Sequence, residues 1–542
     1  MHDVLILGGG LAGLTLSLQL RQAMPDLDVR VIERRSHPVP AAAHKIGESS
    51  VEIGAHYFSQ TLGLKAHLDQ AHLRKFGFRF FFSEGETDLA AVTELGASRF
   101  LSTPSWQIDR GIFENFLAEE ARRRGVRVDC ATAVRRIDLD KDRGHRVEVE
   151  SLGADDGAGR QTLRSRWLID AAGRASLLKR KLDLAEDNAH DANAVWFRLN
   201  ARLDIDNWAV SDPAWRARCN PAARWQSTNH LCGPGYWLWL IPLGSGAHSV
   251  GIVADAKMHP IAGMNTFERA MAWMAEHQPG VAAVIRGVLD DKPDALMDFA
   301  FFRDFSYGCR QVFSAERWAL TGDAGLFLDP FYSPGSDFIA ISNTYITELI
   351  KHDRADEPLR TPALFYGEVY QSLYQSTLAL YTDQYRLFGN ARVMPIKVLW
   401  DYTYYWGVLC QLFFQGRLTD RVMFADLHEP LLRARQLNLS VQTFLRAWGD
   451  HTELGGNASA DNPAQMLDQA SLPWFAELNR SLGDVLDDAA FRERLRRNVA
   501  QLEQLAGEIV GLALRGSPAL APQVPDGLAP SAFEELLFKQ AA

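Results

Sequence analysis

The chain has no long apolar run. Its nearest approach is "VLWDYTYYWGVLCQLFF", residues 398–414, which is 17 residues long and contains Asp401. A helix needs about 20 mostly apolar residues to cross a bilayer, so this stretch reads as a buried or partly exposed aromatic helix, and no transmembrane segment is expected. The opening "MHDVLILGGG" has four apolar residues before its glycines, too few for the core of a secretory signal. Cysteine is scarce: Cys130, Cys219, Cys232, Cys309 and Cys410 are scattered and odd in number. No pair has metal-ligand spacing, which argues against a zinc site and a disulfide framework and for reduced thiols in a cytoplasmic protein. Basic runs are also missing and the net charge is −10, so nucleic acid is not an expected partner. No internal repeat is found. The length of 542 residues exceeds what one hydrophobic core supports, so two or three subdomains are expected.

The first dense signal is "DVLILGGGLAGLTLSLQL". It reads as a short strand, a glycine turn and an apolar helix, with Gly8, Gly10 and Gly13 at the spacing of the dinucleotide fingerprint. Gly8 permits the tight turn, Gly10 lets backbone approach a pyrophosphate, and Gly13 lets helix pack on strand. The helix start then offers free amides to phosphates. A second strand, "DVRVIER", ends in Glu33, 20 residues past Gly13, where a carboxylate binds the adenosine ribose. No second fingerprint follows, so one dinucleotide and no separate NAD(P)H domain is expected.

Two later strands end in polar turns. "RWLIDAAGRAS" (166–176) ends in Asp170-Ala-Ala-Gly173-Arg174, and "RWALTGDAGLFLDP" (317–330) ends in Gly322-Asp323-Ala324. The second resembles the Gly-Asp motif with which FAD-dependent monooxygenases and halogenases hold the ribityl chain, Asp323 being the acceptor. "WQIDRGIFENFLAEEARRRGVRV" (106–128) resembles the segment of the same superfamily where an arginine, here Arg110, opens a helix near the isoalloxazine. The alternative is an arginine paired with Asp109 or Glu114.

"GYWLWLIPL" (235–243) puts Trp237 and Trp239 on one face of a strand. Trp237-Leu-Trp239-Leu-Ile241-Pro242 resembles the Trp-x-Trp-x-Ile-Pro mark of the flavin-dependent halogenases, and the resemblance runs from residue 1 to about 345. It implies an FAD-binding enzyme that takes FADH2 from a separate flavin reductase. With O2 such an enzyme oxidises chloride or bromide at a flavin hydroperoxide. The indoles act as a flavin-side barrier that keeps an organic substrate away while halide and water pass. The hypohalous acid then reaches a lysine beside the substrate, an electron-rich, phenol-like aromatic, free or tethered to a carrier protein. In "LGLKAHLDQAHLRKFGFRFFF" (62–82) Lys75 leads into a strand and is the expected catalytic residue; Lys65, within the preceding helical pattern, is the poorer candidate, and Lys45 precedes a Gly-Glu-Ser segment that resembles the family's flavin-contacting loop.

The halide loop departs from the family pattern. It reads Asp329-Pro330-Phe331-Tyr332-Ser333-Pro334-Gly335-Ser336-Asp337, and Pro334 has no N–H to offer. Gly335 and Ser336 remain as halide donors, with Asp337 close enough to repel an anion or cap the helix. A flavin-dependent aromatic hydroxylase of the same fold is the alternative that Pro334 favours. A flavoprotein retained as a scaffold is a third reading.

The expected fold is α/β: a Rossmann-like, doubly wound FAD-binding domain (1–75, 105–185 and 305–345), an inserted mixed β-sheet substrate domain (76–104 and 186–304) and a helical C-terminal region (346–542). In that last region Tyr366, Tyr370 and Tyr374 share a helix face, and 453–465 is a polar break.

Overall fold

The computed structural model describes residues 1–42, 46–152, 159–452 and 464–538. It divides into two compact units. The first comprises Met1–His72, Ile108–Asn188 and Ser306–Tyr374, the second Leu73–Gln107, Ala189–Phe305 and Gln375–Ala542.

The first unit is built on five parallel strands lying in the order Arg127–Asp129, Val29–Ile32, His2–Leu7, Arg160–Asp170, Trp318–Leu320. Val4 to Leu7 are fully buried, as expected of a parallel strand covered on both faces. Successive strands step outward from His2–Leu7 on one side, then the chain resumes on its other side. The topological switch point therefore lies at the carboxyl ends of His2–Leu7 and Arg160–Asp170. The strand Arg160–Asp170 serves two ladders of one sheet. Its first half pairs antiparallel with His145–Ser151, and its second half carries the parallel ladder. Helix Leu11–Ala23 packs beside Arg110–Arg123, whose apolar positions Phe113, Leu117 and Ala121 recur at helical spacing and are buried. Tyr366, Tyr370 and Tyr374 lie in this unit's core: Tyr366 stacks on Tyr345 at 4.7 Å, and Tyr370 meets Phe313 and Phe338 edge-on.

The second unit holds an eight-stranded mixed sheet in the order Leu296–Phe302, Ala192–Leu199, His248–Asp255, Tyr236–Pro242, Thr228–Gly233, Phe78–Phe82, Glu94–Gly96, Met466–Asp468. Alternation gives its strands two different faces. Leu238, Leu240, Val250 and Ile252 point into an apolar core completed by Met274 and Ile285 of helices Phe267–His277 and Pro279–Asp291. The opposite face carries Phe78, Phe80, His230, Trp237 and Trp239. The edge strand Met466–Asp468 comes from the C-terminal stretch, which is thus not wholly helical. Of the polar break 453–465, residues 453–463 lie outside the described residues.

The aromatic stretch 398–414 falls in helix Met394–Tyr404, a π-helical turn Tyr405–Cys410 and helix Gln411–Phe414. Asp401 is not a break in an apolar face. Lys397 Nζ donates to Asp401 at 2.7 Å and to Gln442 Oε1 at 2.8 Å, and Gln442 Nε2 donates to Asp401 at 2.7 Å. Among the described residues no helix is long and apolar enough to cross a membrane. None of the five cysteines forms a disulfide among the described residues, and burial pushes the thiols of Cys130, Cys219, Cys232 and Cys309 up.

Removing one partner of a buried ion pair leaves an uncompensated charge, a loss of about 3–5 kcal/mol. Asp401→Ala is expected to lower stability by that order, and the double change Lys397→Met with Asp401→Leu to recover most of it. Urea unfolding of the three proteins checks both outcomes.

Candidate functional site

The fingerprint glycines occupy the switch point. Gly8 ends the first strand at φ +116°, and a Cβ there would lie 2.2 Å from the Ala171 carbonyl oxygen. A Cβ on Gly13 would lie 2.0 Å from the Gly8 oxygen. These two contacts hold helix Leu11–Ala23 and the strand ending in Asp170 at a distance that excludes any side chain. Gly10 is different. It caps the helix with extended backbone (φ −87°), makes no side-chain cap, and has no atom of the described residues within 4 Å of where its Cβ would be. Open space in front of uncapped helix amides is the cradle a pyrophosphate requires. Glu33 stands beside it. Its carboxylate accepts from Gly9 N–H at 2.6 Å and from Arg35 N–H at 2.7 Å, which fixes the side chain against the glycine loop. The residues present fit the adenine-dinucleotide part of FAD.

Asp323 lies on the turn Gly322–Ala324, directly after the fifth parallel strand. Two residues that sequence reasoning missed hold this turn. Tyr307 Oη donates to the Asp323 carbonyl at 2.7 Å, and Lys179 Nζ donates to the Gly325 carbonyl at 2.9 Å while lying 3.8 Å over the Tyr307 ring. Burial pulls Lys179 down to about 8. Asp170 closes the neighbouring strand end by accepting from Ala172 and Leu178 N–H at 3.0 and 2.7 Å. Burial raises its carboxyl to about 6 against the pull of those donors. Neither Lys179 nor Tyr307 sits in a motif, so only the fold brings them to the turn.

Arg110 is engaged within its own unit. Its guanidinium donates to Glu114 at 2.8 Å and to the Ile46 carbonyl at 2.9 Å, tying the loop at Ile46 and Gly47 to the helix. In the loop after the turn, Pro334 caps helix Gly335–Arg354, and its carbonyl accepts from Asp337 and Phe338 N–H at 3.0 Å each. The Asp337 carboxylate accepts from Gly54 N–H at 2.8 Å. Gly335 is exposed and Ser336 half-buried.

The second unit gathers Lys75 and the tryptophans. Lys75 is buried, its Nζ 3.4 Å over the Phe78 ring. Phe78 meets His230 at 5.2 Å, His230 meets Trp237 at 5.2 Å, and Trp237 meets Trp239 at 5.6 Å. A continuous file of rings thus joins the lysine to the Trp pair. Trp237 Nε1 donates to Tyr385 Oη at 3.0 Å and Trp239 Nε1 to Ser249 Oγ at 3.1 Å. Trp239 covers Gly251, whose Cβ would lie 2.2 Å from the indole, and Trp196 pairs with Gly251 from the next strand. His230 and Trp196 were readable from strand alternation alone. Lys65 pairs with Asp69 on an exposed helix face, and Lys45 lies outside the described residues. Among the described residues no three His, Cys, Asp or Glu side chains are placed to share a metal ion.

Residues 1–227 match the family of FAD binding domains. The first unit, with its switch-point glycines, carries the strand, turn and helix with which such a domain begins. Relatives of the chain include flavin-dependent halogenases. Halogenase chlA of Dictyostelium discoideum is 27% identical over 436 residues, spanning 75% of this chain and 70% of that protein. A 1H-pyrrole-2-carbonyl peptidyl-carrier-protein brominase of Pseudoalteromonas luteoviolacea is 25% identical over 375 residues, 68% of this chain and 81% of that one. Among solved structures, halogenase PltM in complex with phloroglucinol and FAD shares the fold at a TM-score of 0.62 and 17% identity, covering 93% of this chain and 96% of that one.

The two kinds of glycine separate binding from folding. Gly10→Val has room for its side chain, so the protein is expected to fold and to lose FAD. Gly13→Ala drives a methyl into the Gly8 carbonyl and is expected to lower the yield of folded protein. Flavin absorbance and circular dichroism of the purified variants check the contrast.

Proposed function

We propose that the chain is a flavin-dependent halogenase acting on an electron-rich aromatic. The observation that carries this reading is the burial of Lys75 at one end of a ring file whose other end is the Trp-x-Trp strand. The halogenase relatives support it. The open cradle at Gly10, held in place by the packing of Gly8 and Gly13, seats the pyrophosphate, Glu33 the ribose, and Asp323 the ribityl chain, with Arg110 holding the adjoining loop. Bound FAD, reduced and supplied with O2, provides the two-electron oxidation of chloride or bromide to hypohalous acid. The amides of Gly335 and Ser336 take the halide. Trp237 and Trp239 exclude the organic ring from the flavin by bulk. Lys75 Nζ receives the hypohalous acid, by hydrogen bond or as a haloamine formed with loss of water, and presents the halogen to the ring carbon, which gives up its proton. Reducing equivalents come from a separate reductase. The substrate is a phenol-like aromatic, free or carrier-tethered.

Pro334 favours a second reading, an aromatic hydroxylase, because the position it fills cannot donate to a halide. One assay decides. The pure protein is given FAD, NADH, a flavin reductase, bromide and an electron-rich phenol, and the product is weighed by mass spectrometry. Added bromine is expected; added oxygen or unchanged phenol overturns the halogenase reading.

Lys75→Ala is expected to keep oxidising bromide, read with a soluble trap for hypobromous acid, while brominated phenol falls about a hundredfold or more. Trp237→Phe and Trp239→Phe keep most of the packing. On folded, FAD-bound protein they are expected to shift product from brominated towards hydroxylated phenol or released peroxide. An unchanged product ratio would make the two indoles packing alone.

A further inference from the structure

The residues around Lys75 close into a circuit inside the second unit. Lys75 Nζ lies over Phe78, Phe78 is 6.1 Å from Tyr402, Tyr402 is 4.6 Å from Trp406, and Trp406 is 4.6 Å from Phe475. Phe475 and Asn479 stand four apart on helix Pro473–Arg480 and so share a face. Asn479 returns the path: its Oδ1 accepts from Thr103 N–H at 2.9 Å, and two residues on, the Ser105 carbonyl accepts from Lys75 N–H at 2.9 Å.

Two donors in this circuit have no partner among the described residues, Trp406 Nε1 and Asn479 Nδ2, and both residues are fully buried. A buried N–H without an acceptor is costly and calls for an explanation. Turning the Asn479 amide over does not remove the problem. Its Oδ1 is held by the Thr103 N–H, so the flip would set donor against donor. Trp406 also lies in the π-helical turn Tyr405–Cys410, a rare geometry that recurs at functional sites.

We infer that this circuit lines the substrate compartment, and that Trp406 Nε1 and Asn479 Nδ2 grip acceptor oxygens on the substrate ring. The inference rests on the role proposed above for Lys75. Both unpartnered groups donate and the walls are aromatic. The ligand class is therefore an aromatic ring bearing two acceptor oxygens, and a hydrocarbon ring of the same outline is rejected because it leaves both donors unpaired.

Binding without turnover tests this. The full chain, loaded with oxidised FAD and given no reductant, is titrated with resorcinol and hydroquinone, then with the cresol and xylene of the tighter pattern. Shape stays constant while the oxygens fall from two to one to none. Affinity is expected to drop about tenfold per oxygen removed. Trp406→Phe, and Asn479→Asp with its Thr103 acceptor kept, should each lower the two-oxygen ligand to the level of the cresol and leave the xylene unchanged. Equal binding of all three ligands by the unaltered protein overturns the inference, even if neither variant folds. So does an unchanged ladder in both folded variants. Because no halide is oxidised here, the halogenase reading stands or falls separately. Bromination with a flat ladder removes only the compartment, and a steep ladder without bromination removes only the halogenase.

Discussion

The first unit depends on one steric constraint, the absence of room for a side chain where Gly8, Gly13 and Ala171 meet. The Gly8 backbone turns against the Ala171 carbonyl, and Gly13 rests on the Gly8 carbonyl. Any Cβ would push the helix off the sheet and separate two parallel strand ends. Their contact gathers the polar ends of three strands into one place. Gly8 N–H bonds to the Ile32 carbonyl, Ala171 N–H to Leu7, and Thr321 N–H to Asp170. Asp170, the Asp323 turn and Glu33 are thus placed by hydrogen bonds that run from strand end to strand end around these glycines. Lys179 and Tyr307 extend the same logic by fixing two carbonyls of the Asp323 turn.

Strand register does the corresponding work in the second unit. Pairing His230 with Trp239 and Thr228 with Phe78 puts His230 beside both the Phe78 ring and Trp237. A slip of one residue would send the tryptophans into the apolar core with Leu238 and Leu240 and break the file. The far edge of the sheet is held by charge. Glu94 accepts from Arg79 and from Arg224, both fully buried, and Arg224 lies 3.6 Å over Trp215. Three such charges share a dry site because each finds an opposite neighbour or an aromatic face.

Legibility followed the range of the interactions. The glycine fingerprint, Glu33 and the Gly-Asp turn could be read because backbone conformation restricts residue type locally. The Trp pair could be read because alternation is local too. The Asp401 pairing was present in "KVLWD", where Lys397 precedes it by one helical turn, yet an isolated charge in an apolar run reads first as an interruption. Lys179 with Tyr307, Glu94 with Arg224, and the edge strand Met466–Asp468 are joined across more than a hundred residues with no periodic signal between them. For those, residue type alone carried no trace of the partner.

The tryptophans of the second unit divide by what their N–H groups do. Trp237 and Trp239 have theirs bonded to Tyr385 and Ser249, so towards anything else they present only bulk and ring face. That suits a wall, which must exclude without binding. Trp406 and Trp196 keep buried N–H groups without acceptors among the described residues. An enclosed donor destabilises the fold unless something fills its valence, and stability alone would favour phenylalanine at both places. At Trp406 an indole in place of phenylalanine makes sense if its polarity serves a visitor. At Trp406 the ring neighbours and the Asn479 donor say what kind of visitor that is. At Trp196 the ring meets Phe302 at 4.9 Å and the strand pairs with the Gly251 backbone that Trp239 covers, so there bulk beside Trp239 accounts for the side chain.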